Sequence, residues 1–316
     1  MTQKKLSASA PYYSADEYFK QTFHKKMFRL SLDGGMTCPN RDGTAGVGGC
    51  SFCSASGSGD FATGRTASVT EQIEQAKRQV AKKLPKNGAP FGYLVYFQSY
   101  TNTYAPVDYL EELFTEAILH PEIEALFIGT RPDCLPEPVL ELLSRLSRIK
   151  PVYVELGLQT IKEDSIRYIN RGYDNSVFEN AVHALAARNI PVIVHCILGL
   201  PFETPEDMQN TIDYICALPI HGIKLQLLHI LKGTKLAADY EELLAQNAFH
   251  CMDRDTYLDT VVHLTSRIPD NIVIYRLTGD GSKSLLIAPL WSADKKRVLN
   301  DLQHRMKERI LCNPNP

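Results

Sequence analysis

The 316-residue sequence predicts an α/β protein: a partial (β/α)6 barrel followed by a C-terminal α-helical extension. Three observations carry that expectation. Six short apolar runs rich in β-branched residues recur up to residue 231, a helical stretch lies between each and the next, and the alternation stops after residue 232. Near-continuous apolar runs belong to strands buried on both faces. Strand–helix alternation implies a parallel sheet, and right-handed crossovers leave a barrel or an open doubly wound sheet. Six units in about 200 residues suit a partial barrel, since a complete one needs eight.

The strands are expected at 27–32 (MFRLSL), 93–97 (YLVYF), 125–130 (ALFIGT), 152–158 (VYVELGL), 191–200 (PVIVHCILGL) and 222–231 (GIKLQLLHIL). The helices between them are expected at 68–84, 106–119, 135–149, 176–189 and 204–218. The first opens on Ser68 with Glu71 three residues on, a capping-box pattern, and several others open on Pro or a Ser/Thr cap. After residue 232 come two helical stretches, one more strand in NIVIYRL, and a basic terminal helix from SADKKRVLNDLQHRMKERIL. Residues 1–235 are therefore expected to form the core and 236–316 an extension packed on it.

Composition narrows the function. The chain is 44% apolar and 22% charged with net charge -2, so bulk positive potential cannot hold nucleic acid and any such contact must be local. No apolar run is long enough to cross a bilayer, and the first twenty residues lack a signal-peptide apolar region, which points to the cytosol. There, eight cysteines are a poor disulfide framework, and clustered ones bind metal or do chemistry.

The cluster is CPNRDGTAGVGGCSFC, in which Cys38, Cys50 and Cys53 are spaced C-x11-C-x2-C across a polar, glycine-rich loop after the first strand. Three thiolates with no fourth Cys or His beside them suggest an iron–sulfur cluster with one iron left open. Structural zinc closes at four ligands, and folding could bring up Cys134, Cys196, Cys216, Cys251, Cys312 or His24, so a zinc loop stays open on spacing alone. The loop's place at a strand's C-terminal end favours chemistry, because that rim carries the active site in parallel barrels.

A three-cysteine loop after the first strand of a partial barrel resembles the radical S-adenosylmethionine (radical SAM) enzymes, although their usual signature is C-x3-C-x2-C. The longer gap is similar to that of the branch containing the catalytic subunit of Elongator. So are GTRPDCL (129–135), VELGLQTIKEDSIRYINRGYD (154–174), VHCILGLPFET (194–204) and LLHILKGTKL (227–236). YFQSYTNTYAPVDYL and TGDGSKSLLIAPLW further resemble the bacterial YtqA/YhcC-type subgroup.

The resemblance implies a [4Fe–4S] cluster on Cys38, Cys50 and Cys53, and S-adenosylmethionine (SAM) bound at the fourth iron. One electron, from a donor such as flavodoxin or ferredoxin, would split SAM into methionine and a 5′-deoxyadenosyl radical that takes a hydrogen atom from the substrate. Phe52 would pack beside the cofactor. Gln98, Ser99 and Thr101, at the end of the second strand, would meet SAM where the family has a glycine-rich segment that this chain lacks. Gln159 and His195 match ribose-contacting positions, and Gly199 would let backbone approach the adenine. His195 reads equally as a satisfied core histidine, and Gln159 as a helix cap. Glu155, inside an apolar strand, needs a partner such as Arg131 or Lys224.

The Elongator-like branch implies tRNA, with the C5 side chain of wobble uridine as target and conversion of 5-carboxymethylaminomethyluridine to 5-aminomethyluridine as one version. The basic runs KKMFR (25–29), KKR (295–297) and RMKER (305–309), with Tyr12, Tyr13, Tyr100 and Tyr104, offer phosphate contacts and stacking surfaces. Each run alone reads more simply as a solvated face. The chain looks too short for Elongator's acetyltransferase domain. Two alternatives stand beside tRNA: a radical SAM enzyme acting on a small molecule such as a tetrapyrrole or amino acid, and a non-enzymatic zinc or iron–sulfur module. No residue is assigned as catalytic in its own right.

Overall fold

The computed structural model describes residues 11–57, 59, 62, 68–279 and 281–312, the side chains of 310–312 excepted. Seven strands form one parallel sheet: β1 (Lys26–Leu32), β2 (Phe91–Phe97), β3 (Ile123–Thr130), β4 (Val152–Gln159), β5 (Val192–Leu198), β6 (Gly222–Leu227) and β8 (Val273–Arg276). They stand in chain order, each paired with the next. Between β6 and β8 lies β7 (Ile230–Leu231), which pairs antiparallel with β9 (Leu286–Ala288).

The helices that cross between strands are α2 (Val69–Val80), α3 (Val107–Leu119), α4 (Glu137–Ser147), the pair α5 (Glu163–Tyr168) and α6 (Asn175–Ala186), α7 (Pro205–Cys216), and the pair α8 (Lys235–Ala245) and α9 (Arg254–Thr265). The terminal helix is α10 (Lys295–Cys312). The caps form as the sequence indicates: Ser68 accepts from the Glu71 amide, and Thr204 and Asp207 close a reciprocal capping box. The outward strand residues and the inward helix faces make one large core that includes Leu30, Val95, Phe114, Val154, Phe178, Val194 and Ile212, all buried.

The strand expected in NIVIYRL does more than extend the chain. It pairs in parallel with β6 as the sheet's seventh strand, with Lys224 opposite Arg276. The run 222–231 splits in two: β6 ends at Leu227, and the chain turns into the separate pairing of Ile230 and Leu231.

The N-terminal ends of the strands are sealed. Helix α1 (Ala15–Phe23), capped by Ser14, lies across them. Phe19 meets Phe127 edge-on, Phe127 stacks on Tyr153 with centroids 4.3 Å apart, and the Tyr18 and Tyr153 hydroxyls share a 2.7 Å hydrogen bond. The opposite, C-terminal ends open into a cavity of about 910 Å³.

Candidate functional site

The three-cysteine loop forms the cavity's upper wall, and Cys38, Cys50 and Cys53 all line it. The loop holds its shape through backbone hydrogen bonds, Arg41 N–H and Asp42 N–H to the Cys38 carbonyl and Cys53 N–H to the Cys50 carbonyl. Asn40 is its fully buried keystone. Its Nδ2 donates to the Asn170 carbonyl (2.5 Å) and faces the Cys50 Sγ at 3.6 Å. Gly46 is required beside it, since a Cβ there would stand 2.2 Å from Asn40 Oδ1.

The segment 169–173 braces this loop from below. Ser51 N–H donates to the Ile169 carbonyl and Asn170 Nδ2 to the Gly49 carbonyl. Arg171, 1% exposed, spends its guanidinium on the carbonyls of Leu158, Thr160 and Tyr173 and on Asn175 Oδ1. Gly172 takes φ +78°, a left-handed backbone that glycine adopts without strain. Arg131 forks onto Asp133 (2.7 and 2.9 Å) and donates to the Arg171 carbonyl, so it is not the partner of Glu155.

The donor set fits the cofactor that the resemblance implies. Burial first, then the neighbouring Cys53 sulfur, push the Cys50 thiol up to about 12, with Cys38 adding to the effect. Cys50 therefore becomes a thiolate only beside a strongly positive group. Among the described residues, the three sulfurs do not all lie within 4.8 Å of one another, and none joins another Cys, His, Asp or Glu in such a set. A zinc ion about 2.3 Å from each thiolate would draw them closer than that. The Cys312 side chain lies outside the described residues.

Of the other expected contacts, Phe52, Gln98, Thr101, Gln159 and His195 line the same cavity, whereas Ser99 and Gly199 do not. Ser99 is buried behind the β2 end. Gly199 has φ +78° with Met252 Sδ 3.3 Å from where its Cβ would be. Gln159 holds a left-handed backbone, φ +66°, where the pairing of β4 with β5 breaks register. A non-glycine residue there costs about 1–3 kcal/mol, and such strain gathers at working sites.

The cavity floor was missed in large part. One hydrogen-bonded chain crosses it from β8 to β4. Arg276 Nη1 donates to Gln226 Oε1 (3.4 Å), Gln226 Nε2 faces His195 Nδ1 (3.3 Å), and His195 Nε2 meets Glu155 Oε2 (2.7 Å), which also accepts from Lys224. The Glu155–Lys224 pairing is as expected. Burial would raise the Glu155 carboxyl, but the Lys224 charge and the His195 hydrogen bond outweigh it and hold the group well below the usual carboxylate range. Burial and then repulsion from Arg29 push the Lys224 ammonium down, with Glu155 opposing. Burial lowers His195 despite Glu155, so the ring is neutral at pH 7. The neutral ring then donates from Nε2 to Glu155 and accepts at Nδ1 from Gln226. Tyr96 lies between two cations, its centroid 4.9 Å from the Arg29 guanidinium carbon and 4.7 Å from Lys224 Nζ.

Of the aromatics and basic runs noted for RNA, Tyr100 is at the cavity with Arg41 over its ring, and Tyr104 shares a 2.8 Å hydrogen bond with Thr44. Tyr13 is buried, with its carbonyl on Ile274 N–H at the far end of the sheet. Lys25 pairs with Glu124, and Arg305 pairs with Asp255 and Asp259.

Comparisons with known proteins agree with this architecture. Residues 39–215 match the Radical SAM superfamily and residues 220–308 the Radical_SAM C-terminal domain. The chain is 39% identical to the uncharacterized protein YtqA of Bacillus subtilis over 298 residues, 94% of this chain and 90% of YtqA. It is 25% identical to the tRNA-2-methylthio-N(6)-dimethylallyladenosine synthase of Fusobacterium nucleatum over 60% of this chain and 42% of that one. In fold it is similar to the archaeal Methanocaldococcus infernus Elp3, with TM-score 0.62, 15% identity, and 91% of this chain and 63% of that chain covered. No helix among the described residues is long and apolar enough to cross a membrane. The chain belongs to the radical SAM superfamily of enzymes, whose cofactors are a [4Fe–4S] cluster and S-adenosylmethionine.

Proposed function

We propose that this enzyme modifies the C5 side chain of wobble uridine in tRNA, acting in the cytosol with a low-potential donor such as flavodoxin or ferredoxin. The observation that carries the reading is the lining of the cavity. Among the described residues it bears seven Arg and Lys side chains and one carboxylate, Glu155, in a chain of net charge -2. That local surplus suits an anionic partner. The Elongator-like motifs and the similarity to a synthase named for tRNA support the same class.

In this reading Cys38, Cys50 and Cys53 hold three irons, and Asn40 hydrogen-bonds the Cys50 sulfur. When bound, the cluster and SAM supply a carbon-centred radical able to take a hydrogen atom from the substrate. The chain's own residues orient and enclose. Phe52 covers the cysteine side, Gln98, Thr101 and Gln159 surround SAM at the strand ends, and Ser99 and Gly199 shape the backbone behind them. His195 stands below, fixed by Glu155 and Gln226. An aromatic plug at the base keeps water from entering through the opposite end.

The reaction that fits best removes the carboxymethyl group of 5-carboxymethylaminomethyluridine to leave 5-aminomethyluridine. Hydrogen abstraction at the carbon flanked by nitrogen and carboxylate would give a stabilised radical; loss of one further electron to the oxidised cluster would leave an imine that water hydrolyses to 5-aminomethyluridine, the two carbons departing as glyoxylate. Mass spectrometry of tRNA nucleosides from a deletion strain tests it. Accumulation of the carboxymethylaminomethyl nucleoside is expected, and an unchanged nucleoside profile would exclude the tRNA reading.

A further inference from the structure

The floor of the cavity is cationic in a way that cofactor binding at the rim does not explain. Arg29, from the middle of β1, and Arg276, from the end of β8, both line it. Arg29 has no carboxylate within 4 Å among the described residues, and its contact is the face of Tyr96. Among the described lining residues Glu155 is the one carboxylate, and it engages Lys224 and His195. Gln226 takes the Arg276 donor hydrogen bond and fixes that guanidinium's position on the floor. Arg29 and Lys224 sit at mid-strand, with Arg276 level with Lys224, beneath the strand ends that carry Gln98, Thr101 and Gln159.

Cations gathered at the base of a concave cavity raise the local concentration of anions and strengthen any oxyanion contact made there. Guanidiniums held in place on a ring face and an amide match a planar carboxylate better than a mobile ammonium would. We propose that the cavity floor is an oxyanion subsite in which Arg29 and Arg276 receive a carboxylate carried by the substrate. The subsite rests on this cavity being the substrate's, and it deepens the uridine reading by naming the groups that would read an acidic side chain. Arg29 and Arg276 are positioning residues: they orient the carbon next to the carboxylate toward the rim.

The test is ligand-observed NMR titration of the full chain, without turnover, using two isosteric pairs: 5-carboxymethylaminomethyluridine with its carboxamide, and acetate with acetamide. The wild type is expected to bind each carboxylate at least tenfold more tightly than its amide. Arg29→Met should bring each pair within twofold while leaving the amide affinities and SAM binding unchanged, and Arg29→Lys should restore part of the difference. If thermal melting shows Arg29→Met unfolded, Arg276→Gln carries the same comparison.

Equal affinities within each wild-type pair would overturn the subsite. So would Arg29-dependent binding of inorganic phosphate that outcompetes acetate, or loss of SAM binding in Arg29→Met with discrimination intact, which would assign the guanidinium to SAM. Discrimination between acetate and acetamide with no binding of either nucleoside would support the subsite and remove the uridine reading.

Discussion

The two ends of the curled sheet are made by the same seven strands and solve opposite problems. At the N-terminal end, Phe19, Phe127, Tyr153 and Tyr275 pack edge-to-face and stacked, and the hydroxyls of Tyr18 and Tyr153 satisfy each other. At the C-terminal end, charged and sulfur groups line an open cavity, Gln159 sits at a strained φ, and Asn40 and Glu155 each keep a buried oxygen without a hydrogen-bond partner. One end is optimised for packing. The other tolerates strain and incomplete satisfaction, which a domain sustains only when the rest of its core supplies the stability.

The comparison can be broken most strongly at the rim. Cys50→Ala should abolish cluster assembly and 5′-deoxyadenosine formation while leaving the fold intact, as read by iron and sulfide counts and circular dichroism. A cluster-loaded, active variant would refute the ligand assignment.

Next come two buried substitutions of comparable cost. Phe127→Ala at the plug should destabilise by about 3–5 kcal/mol through cavity formation. Glu155→Ala at the floor should cost about 3–5 kcal/mol by stranding Lys224. Denaturant titration measures both. Only the second should change the affinities of cavity ligands, and equal effects on binding would erase the distinction between the two ends.

A smaller effect is expected from Glu203 in the turn after β5. Burial pushes its carboxyl up to about 7 from an ordinary 4.5. The folded state therefore holds a proton that the unfolded state has released. Glu203 contributes a loss of stability as pH rises from about 4.5 to 7, and a constant one above that. Denaturation midpoints of Glu203→Gln should lack this part of the pH slope. Smallest is Gln159→Gly, which relieves the positive φ. It should leave stability level or raise it by about 1 kcal/mol while weakening SAM binding, as followed by calorimetry.

Most strands and helices were legible because their signals are local. Buried parallel strands read as apolar runs, and Ser68 and Thr204 announce their helices. Helix α1 was overlooked although Ser14 and Glu17 carry a cap pattern. The role of Val273–Arg276 was hidden because a four-residue strand says nothing of its partner, here β6 across two intervening helices.

The site divides the same way. The cysteine loop is contiguous, so its three sulfurs stand out as one motif in the sequence. The floor is assembled from scattered residues on six strands, Arg29, Tyr96, Glu155, His195, Lys224, Gln226 and Arg276. In strands buried on both faces, nothing in the alternation marks which residue points inward. Glu155 stood out because a carboxylate in an apolar run demands a partner. Arg29 did not, since it sits in a basic run that reads as a solvated face.

Electron paramagnetic resonance of the anaerobically reconstituted, dithionite-reduced protein, with and without SAM, tests most directly that three cysteines leave one iron open. The expected result is about four irons and four sulfides per chain, with a reduced-cluster signal that shifts when SAM is added. Bound zinc in place of iron, or a cluster signal that SAM leaves unchanged, would contradict the account.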